Sequence, residues 1–136
     1  MKFLPVPVEH LDTQWQYIEP ILNKAVCLSP RKIDIKDVYE ASKQGAYLVW
    51  TVQDEGEIIA VITTRMVFYP KGYALALDFV GGDKMKDWIE LVLSTLEAHA
   101  RHNKCIHMEG FGRKAWQRFI GKFGWYPAHI TYHKDL

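Results

Sequence analysis

The stretch that most constrains this chain runs from residue 73 to residue 101, where an apolar period of two gives way to one near 3.6 across a pair of glycines. In YALALDFV the large residues Tyr73, Leu75, Leu77 and Phe79 alternate with Ala74, Ala76, Asp78 and Val80, the pattern of a strand with unequally filled faces. From Met85 the apolar residues step as Met85, Trp88, Ile89, Val92, Leu96 and Ala100, with Leu91 and Leu93 widening the stripe, which predicts a helix. Gly81 and Gly82 let the chain turn between the two, and Asp83 is placed to cap the helix. A strand that runs through glycines into a helix N-terminus gathers unpaired N–H groups at one point, and that point suits an anion.

On either side the sequence punctuates itself into short elements. Residues 2–8 are apolar but carry two prolines, so they are expected to form only a short edge strand. Asp12 or Thr13 is expected to cap a helix running to about residue 24, kinked or divided at Pro20. A second short helix is expected over residues 34–43, ended by Gly45. Residues 46–52 (AYLVWTV) and 58–69 (IIAVITTRMVFY) flank the turn DEGE as a hairpin, and Pro70, Lys71 and Gly72 lead into the strand already described. After the long helix, residues 104–109 (KCIHME) read as a strand and residues 113–123 as an amphipathic helix. In that helix Trp116, Phe119, Ile120 and Phe123 point inward, and Gly124 is the C-cap. Residues 128–134 close the chain as a last strand. The order is that of a single α+β domain over residues 1–136, with a mixed, mostly antiparallel sheet and helices on both faces.

With 49% hydrophobic and 24% charged residues, composition excludes a disordered or fibrous chain. A net charge of +1 supplies no global attraction to nucleic acid or anionic lipid, so neither is an expected partner. No apolar run reaches membrane-spanning length, the N-terminus lacks a signal-peptide core, and Cys27 and Cys105 match no disulfide framework. A cytoplasmic protein is the expectation. His99, His102, Cys105 and His107 are metal-ligand types close in sequence, but the two helical histidines also suit a helix C-terminus, and no metal is expected. His129 and His133 would share a polar strand face with Thr131. Lys114, Arg118 and Lys122 fall four apart and read first as a solvated basic face.

The order of elements, together with the ending RFIGKFGWYPAHITYHKDL, resembles the GCN5-related N-acetyltransferase superfamily. That family's last helix commonly closes in an aromatic run before a final strand, matched here by Phe119, Ile120, Gly121, Lys122, Phe123, Gly124 and Trp125. Through Gly81, Gly82, Trp88, the segment from Leu96 to Cys105, and Gly112 to Trp116, the chain resembles still more closely the small acetyltransferase-like proteins of tailed bacteriophages. The resemblance implies a splayed sheet holding the pantetheine arm of acetyl-CoA along Leu77, Asp78 and Phe79. It places the pyrophosphate at Gly81, Gly82, Asp83 and Lys84. A Cβ at Gly82 would then block the pyrophosphate while leaving the fold intact. An amine acceptor completes the reaction, and Glu109, after a strand and before Gly110, is a candidate general base, as is Asp78. The bland readings are a solvated carboxylate for Glu109 and a backbone-bonded one for Asp78.

The chain also departs from that family. The phosphate loop is short and carries Asp83 where an anion would sit, the tyrosine expected as proton donor falls at Ile120, and an asparagine earlier in that helix is replaced by Arg113. Two functions follow: N-acetyl transfer from acetyl-CoA, or a catalytically silent relative that binds a phage or host protein, virion-associated if phage-encoded. A homodimer is compatible with either.

Overall fold

The computed structural model describes residues 1–28 and 32–136. The chain runs β1 (Lys2–Pro5), α1 (Val8–Val26), α2 (Ile35–Lys43), β2 (Leu48–Asp54), β3 (Glu57–Tyr69), β4 (Gly72–Gly82), α3 (Met85–His102) and β5 (His107–Gly110). The strands form one sheet in sequence order, antiparallel from β1 to β4. The α3 crossover then sets β5 parallel to β4. This is the expected α+β architecture.

Alternation along β3 sorts the two faces. Ala60 and Ile62 turn toward α3 and pack with Phe3, Trp50, Val52, Leu75 and Leu77 against Trp88, Ile89, Val92 and Leu96. Val49 and Val61 turn the other way, where Leu11, Ile18, Leu22 and Val26 of α1 and Val38 of α2 cover them. Residues such as Ile18, Leu22, Ile62 and Leu96 are fully buried, and each stabilises the fold by about 1.5–3 kcal/mol relative to exposure.

The sheet breaks its own period at one place. Thr64 pairs with Leu77 but Thr63 pairs with Phe79, which leaves Asp78 as the extra residue of a bulge in β4. Leu77 therefore faces α3, whereas Phe79 packs with the α1 core, and the single face expected for Tyr73, Leu75, Leu77 and Phe79 is corrected at Asp78.

The helices depart from expectation at their ends. α1 begins at Val8 and passes through exposed Pro20 without being divided. Neither expected cap residue caps it. Asp12 instead accepts hydrogen bonds from Tyr39 and from Lys43 (2.8 Å), tying α1 to α2, and Thr13 bonds back to the His10 carbonyl. α2 starts as expected at Asp34, in a reciprocal capping box with Asp37 (2.9 and 3.0 Å).

After β5 the expected helix over residues 113–123 is three short pieces. A 3-10 turn (Lys114–Trp116) leads into α4 (Gln117–Ile120) and a second 3-10 turn (Gly121–Phe123), closed by Gly124 at φ 92°. Trp116, Ile120, Phe123 and Trp125 pack against the α3-side core, while the Phe119 ring lies 5.8 Å from the Arg118 guanidinium.

The last expected strand does not form. Residues 124–136 carry no strand or helix, and Ile130 and Tyr132 are 74% and 88% exposed. His133 reaches Lys32 at 3.3 Å. The shared polar face expected for His129 and His133 goes with that strand. Alternation states which faces a strand would use; it does not bring a sheet edge within reach.

Candidate active site

The pairing of β4 with β5 ends at Leu77 opposite Gly110, whereas β4 continues to Gly82 on its β3 side alone. Past Leu77, β4 has no strand neighbour on that side, because β5 ends at Gly110. Backbone groups of residues 78–82 that face away from β3 therefore have no strand partner among the described residues, and the open edge leads straight to the start of α3.

That start is built differently from the sequence reading. The N-cap is Lys84, in the left-handed region at φ 59°, and no side chain caps the helix. Asp83 is corrected from a cap to a loop residue: its N–H reaches the Ile59 carbonyl at 3.3 Å, and its carbonyl accepts Trp88 Nε1 at 2.6 Å. Buried Trp88 thus pins the loop as well as filling the core. Lys84 and Lys86 are exposed, and neither has an ion-pair partner among the described residues. A shallow cavity of about 260 Å³, lined by residues including Lys24, Gly82, Asp83 and Lys84, borders the same point.

The glycines are required by the fold itself. A Cβ on Gly81 would stand 2.6 Å from the Ile21 carbonyl oxygen of α1. At Gly82, with φ 136°, it would stand 2.5 Å from the Ile59 oxygen and 2.6 Å from Ala60 Cα. The expectation that a Cβ at Gly82 leaves the fold intact is therefore corrected, because β3 already occupies that space.

Beyond the part covered by α1, the same sheet face turns polar. Arg65 on β3 holds the bulged Asp78 through Nε (2.5 Å) and a second nitrogen (3.2 Å), with the Asp78 side chain 10% exposed. The bulge turns Asp78 to this partner and leaves Thr63 Oγ1 to receive the Phe79 N–H at 3.2 Å. Tyr47 packs edge-on to Phe79, and burial followed by the charge of Asp78 pushes its hydroxyl pKa up.

One pairing step before β4 loses its β5 partner, Glu109 lies on this face opposite Ala76, with His107 opposite Ala74. Tyr69 donates to both Glu109 oxygens at 2.9 Å, and His107 Nε2 lies 2.9 Å from Oε1. Burial works upward on the Glu109 carboxyl. Hydrogen bonds from His107 and Tyr69, with the charge of Arg65 and that of His107 in its protonated form, outweigh it and hold the pKa below the ordinary carboxylate value. The bond to Glu109 in turn raises the Tyr69 hydroxyl.

Of the residues named from sequence, Asp78, Phe79, Gly81, Gly82, Asp83 and Lys84 thus lie along the open half of β4 and its turn, Leu77 is the last β4 residue paired with β5, and Glu109 stands one pairing step before that end. Arg65, Tyr47 and Tyr69 were missed as site residues. Only the strand register brings them there, and the alternation of β3 with Val61 is the one signal that could have placed Arg65 and Tyr69 on this face.

The residues first weighed for metal separate. His99 stands edge-on to Trp50 at 5.1 Å, His107 bonds Glu109, and Cys105 meets Met66. Among the described residues no three metal-ligand types gather. Lys114 and Arg118 border an open concavity of about 420 Å³, and Lys122 lies 5.2 Å from the Phe123 ring. No helix among the described residues is long and apolar enough to cross a membrane.

No family model matches the chain, and no curated protein does either. Solved structures do match, along nearly the whole length of both chains. The ribosomal-protein-alanine N-acetyltransferase of Brucella melitensis biovar Abortus 2308 superposes with TM-score 0.73 at 8% identity, covering 100% of each chain. The glucosamine-6-phosphate N-acetyltransferase of Arabidopsis thaliana gives 0.69 at 16% identity, covering 98% of this chain and 97% of that one. The aminoglycoside 6′-N-acetyltransferase of Acinetobacter haemolyticus gives 0.68 at 10% identity, covering 100% and 99%. The fold is that of the GCN5-related acetyltransferases.

Proposed function

We propose that this chain is an acyl-CoA-dependent N-acetyltransferase that moves acetyl from acetyl-CoA to an amine within one ternary complex. The observation that carries the reading is the open edge of β4 past Leu77, leading into a helix N-terminus with no side-chain cap. Strand amides there offer hydrogen bonds to the amide-bearing pantetheine arm along Leu77, Asp78 and Phe79. The start of α3, with Gly81, Gly82 and Lys84, offers N–H groups and charge to the pyrophosphate. The cofactor supplies the activated acetyl group. The chain positions it and presents the Glu109 face to the amine. Asp78 is held in an ion pair by Arg65, whereas Glu109 is bonded to the titratable side chains of Tyr69 and His107, so of the two carboxylates Glu109 is the one that belongs to the acid-base cluster. Solved proteins of this fold act on a ribosomal-protein alanine, glucosamine 6-phosphate and an aminoglycoside, which supports an amine acceptor as a class. The motif likeness to phage acetyltransferase-like proteins suggests the cytoplasm of an infected cell as its place of action.

The experiment is a calorimetric titration with acetyl-CoA, for which saturable heat in the micromolar range is expected. Absence of heat at millimolar acetyl-CoA would overturn the reading. It would favour the silent binding protein, to which Asp83 beside the phosphate position and Ile120 in place of a proton donor already lend weight.

A further inference from the structure

The cluster on β3 and β5 has more parts than a lone carboxylate base needs. Glu109, when ionised, is only an acceptor, and its two oxygens already receive Tyr69 and His107. Because a carboxylate cannot donate, the imidazole proton of neutral His107 must sit on Nε2. That leaves Nδ1 as the lone pair able to take a proton. The carboxylate fixes the tautomer and stabilises the imidazolium that would form, the logic of a carboxylate-histidine pair. Exposure divides the roles the same way: the Glu109 side chain is 25% exposed and that of His107 is 47%. The Tyr69 ring lies 5.8 Å from the imidazole at 31° and limits its swing. The charged or titratable groups around the pair are Tyr69 and Arg65 from β3 and Glu109 from β5, while Ala74 faces His107 from β4.

We propose that His107 is the proton acceptor of the amine chemistry, with Glu109 and Tyr69 as its positioning residues. This rests on the acetyl-transfer reading above. The incoming ammonium gives one proton to His107 Nδ1. Its nitrogen attacks the thioester carbonyl, the C–N bond forms and the C–S bond breaks. The second nitrogen proton goes to the departing thiolate, giving free CoA thiol, and His107 returns its proton to water.

Three amines serve as probes with acetyl-CoA: an alanine-headed peptide, glucosamine 6-phosphate and an aminoglycoside. With whichever is acetylated, His107→Gln is expected to lower kcat about 100-fold with the KM for acetyl-CoA unchanged. His107→Ala should recover activity with added imidazole, which a merely structural histidine would not do. Glu109→Gln should lower kcat while leaving the acetyl-CoA heat intact. Independently of turnover, nitrogen chemical shifts of the wild-type imidazole should place its proton on Nε2, and a proton found on Nδ1 would overturn the assignment. A wild-type enzyme that acetylates an amine, with His107→Gln equal to it in kcat, sinks His107 and spares the function. A wild type that neither binds acetyl-CoA nor acetylates any of the three sinks both.

Discussion

Asp83 stands one residue ahead of left-handed Lys84, at the point where a pyrophosphate would meet the first turn of α3. Its backbone serves the loop through Ile59 and Trp88, and its carboxylate is exposed, so its charge is separable from its structural role. Asp83→Asn is expected to leave melting unchanged and to tighten acetyl-CoA binding roughly two- to fivefold, the worth of about 0.5–1 kcal/mol for one exposed charge beside an anion. Weaker binding on calorimetry would place the phosphates elsewhere. His99 shows the converse, a histidine whose work is packing. Burial, and then the charge of His102, lowers its pKa from 6.5 as it stands against Trp50. A histidine depressed in the folded state gives stability that is complete above the unfolded value and is lost as pH falls through the folded one, because the unfolded chain binds the proton more readily. Wild type should therefore lose more melting temperature between pH 7.5 and pH 5.5 than His99→Phe, which keeps an aromatic edge and cannot titrate. Equal losses in the two proteins would show that His99 does not contribute.

At the scale of elements, β4 was legible in the sequence except where it mattered to the site. The change of period near residue 80 located β4 and α3, because burial on two faces imposes those periods directly. The bulge at Asp78 was not legible: a one-residue slip is a property of the β3 pairing and leaves no mark in a single strand. It turned Phe79 to the α1 side and set Asp78 against Arg65. Glu109 was singled out as a candidate because it follows a strand and precedes Gly110, but its partners Tyr69 and His107 required the register of three strands. The last strand failed for the opposite reason, since its alternation is plain in the sequence and residues 128–134 nevertheless pair with no strand. The glycine turn joins both lessons. Gly82 was expected to exclude a side chain for the sake of a pyrophosphate, yet the neighbours that forbid one are Ile59 and Ala60 of β3. Gly82→Val is accordingly expected to destabilise the protein by about 2 kcal/mol or more, from overpacking and a backbone angle unsuited to valine. Denaturant unfolding measures this. A stability equal to wild type, with acetyl-CoA binding lost, would return Gly82 to the cofactor.

For the molecule as a whole, the proposed cofactor would lie along β4 and across the start of α3, where the sheet hands the chain to the helix that fills its second face. A ligand bound only to the folded state stabilises by RT ln(1 + [L]/Kd), about 2.7 kcal/mol at a hundredfold excess over Kd. For a chain of 136 residues that corresponds to a rise in melting temperature of roughly 10 °C. Acetyl-CoA and CoA should both produce it, since the arm and the pyrophosphate are common to them, whereas acetate should produce none. ADP separates the contributions of strand and helix. It carries the pyrophosphate without the arm, so a helix N-terminus acting alone would let ADP match acetyl-CoA, while the open edge of β4 requires acetyl-CoA to exceed it at equal concentration. Equal shifts for the two would remove the open edge of β4 from the binding site, and no shift with acetyl-CoA would leave the acetyltransferase fold serving some other task.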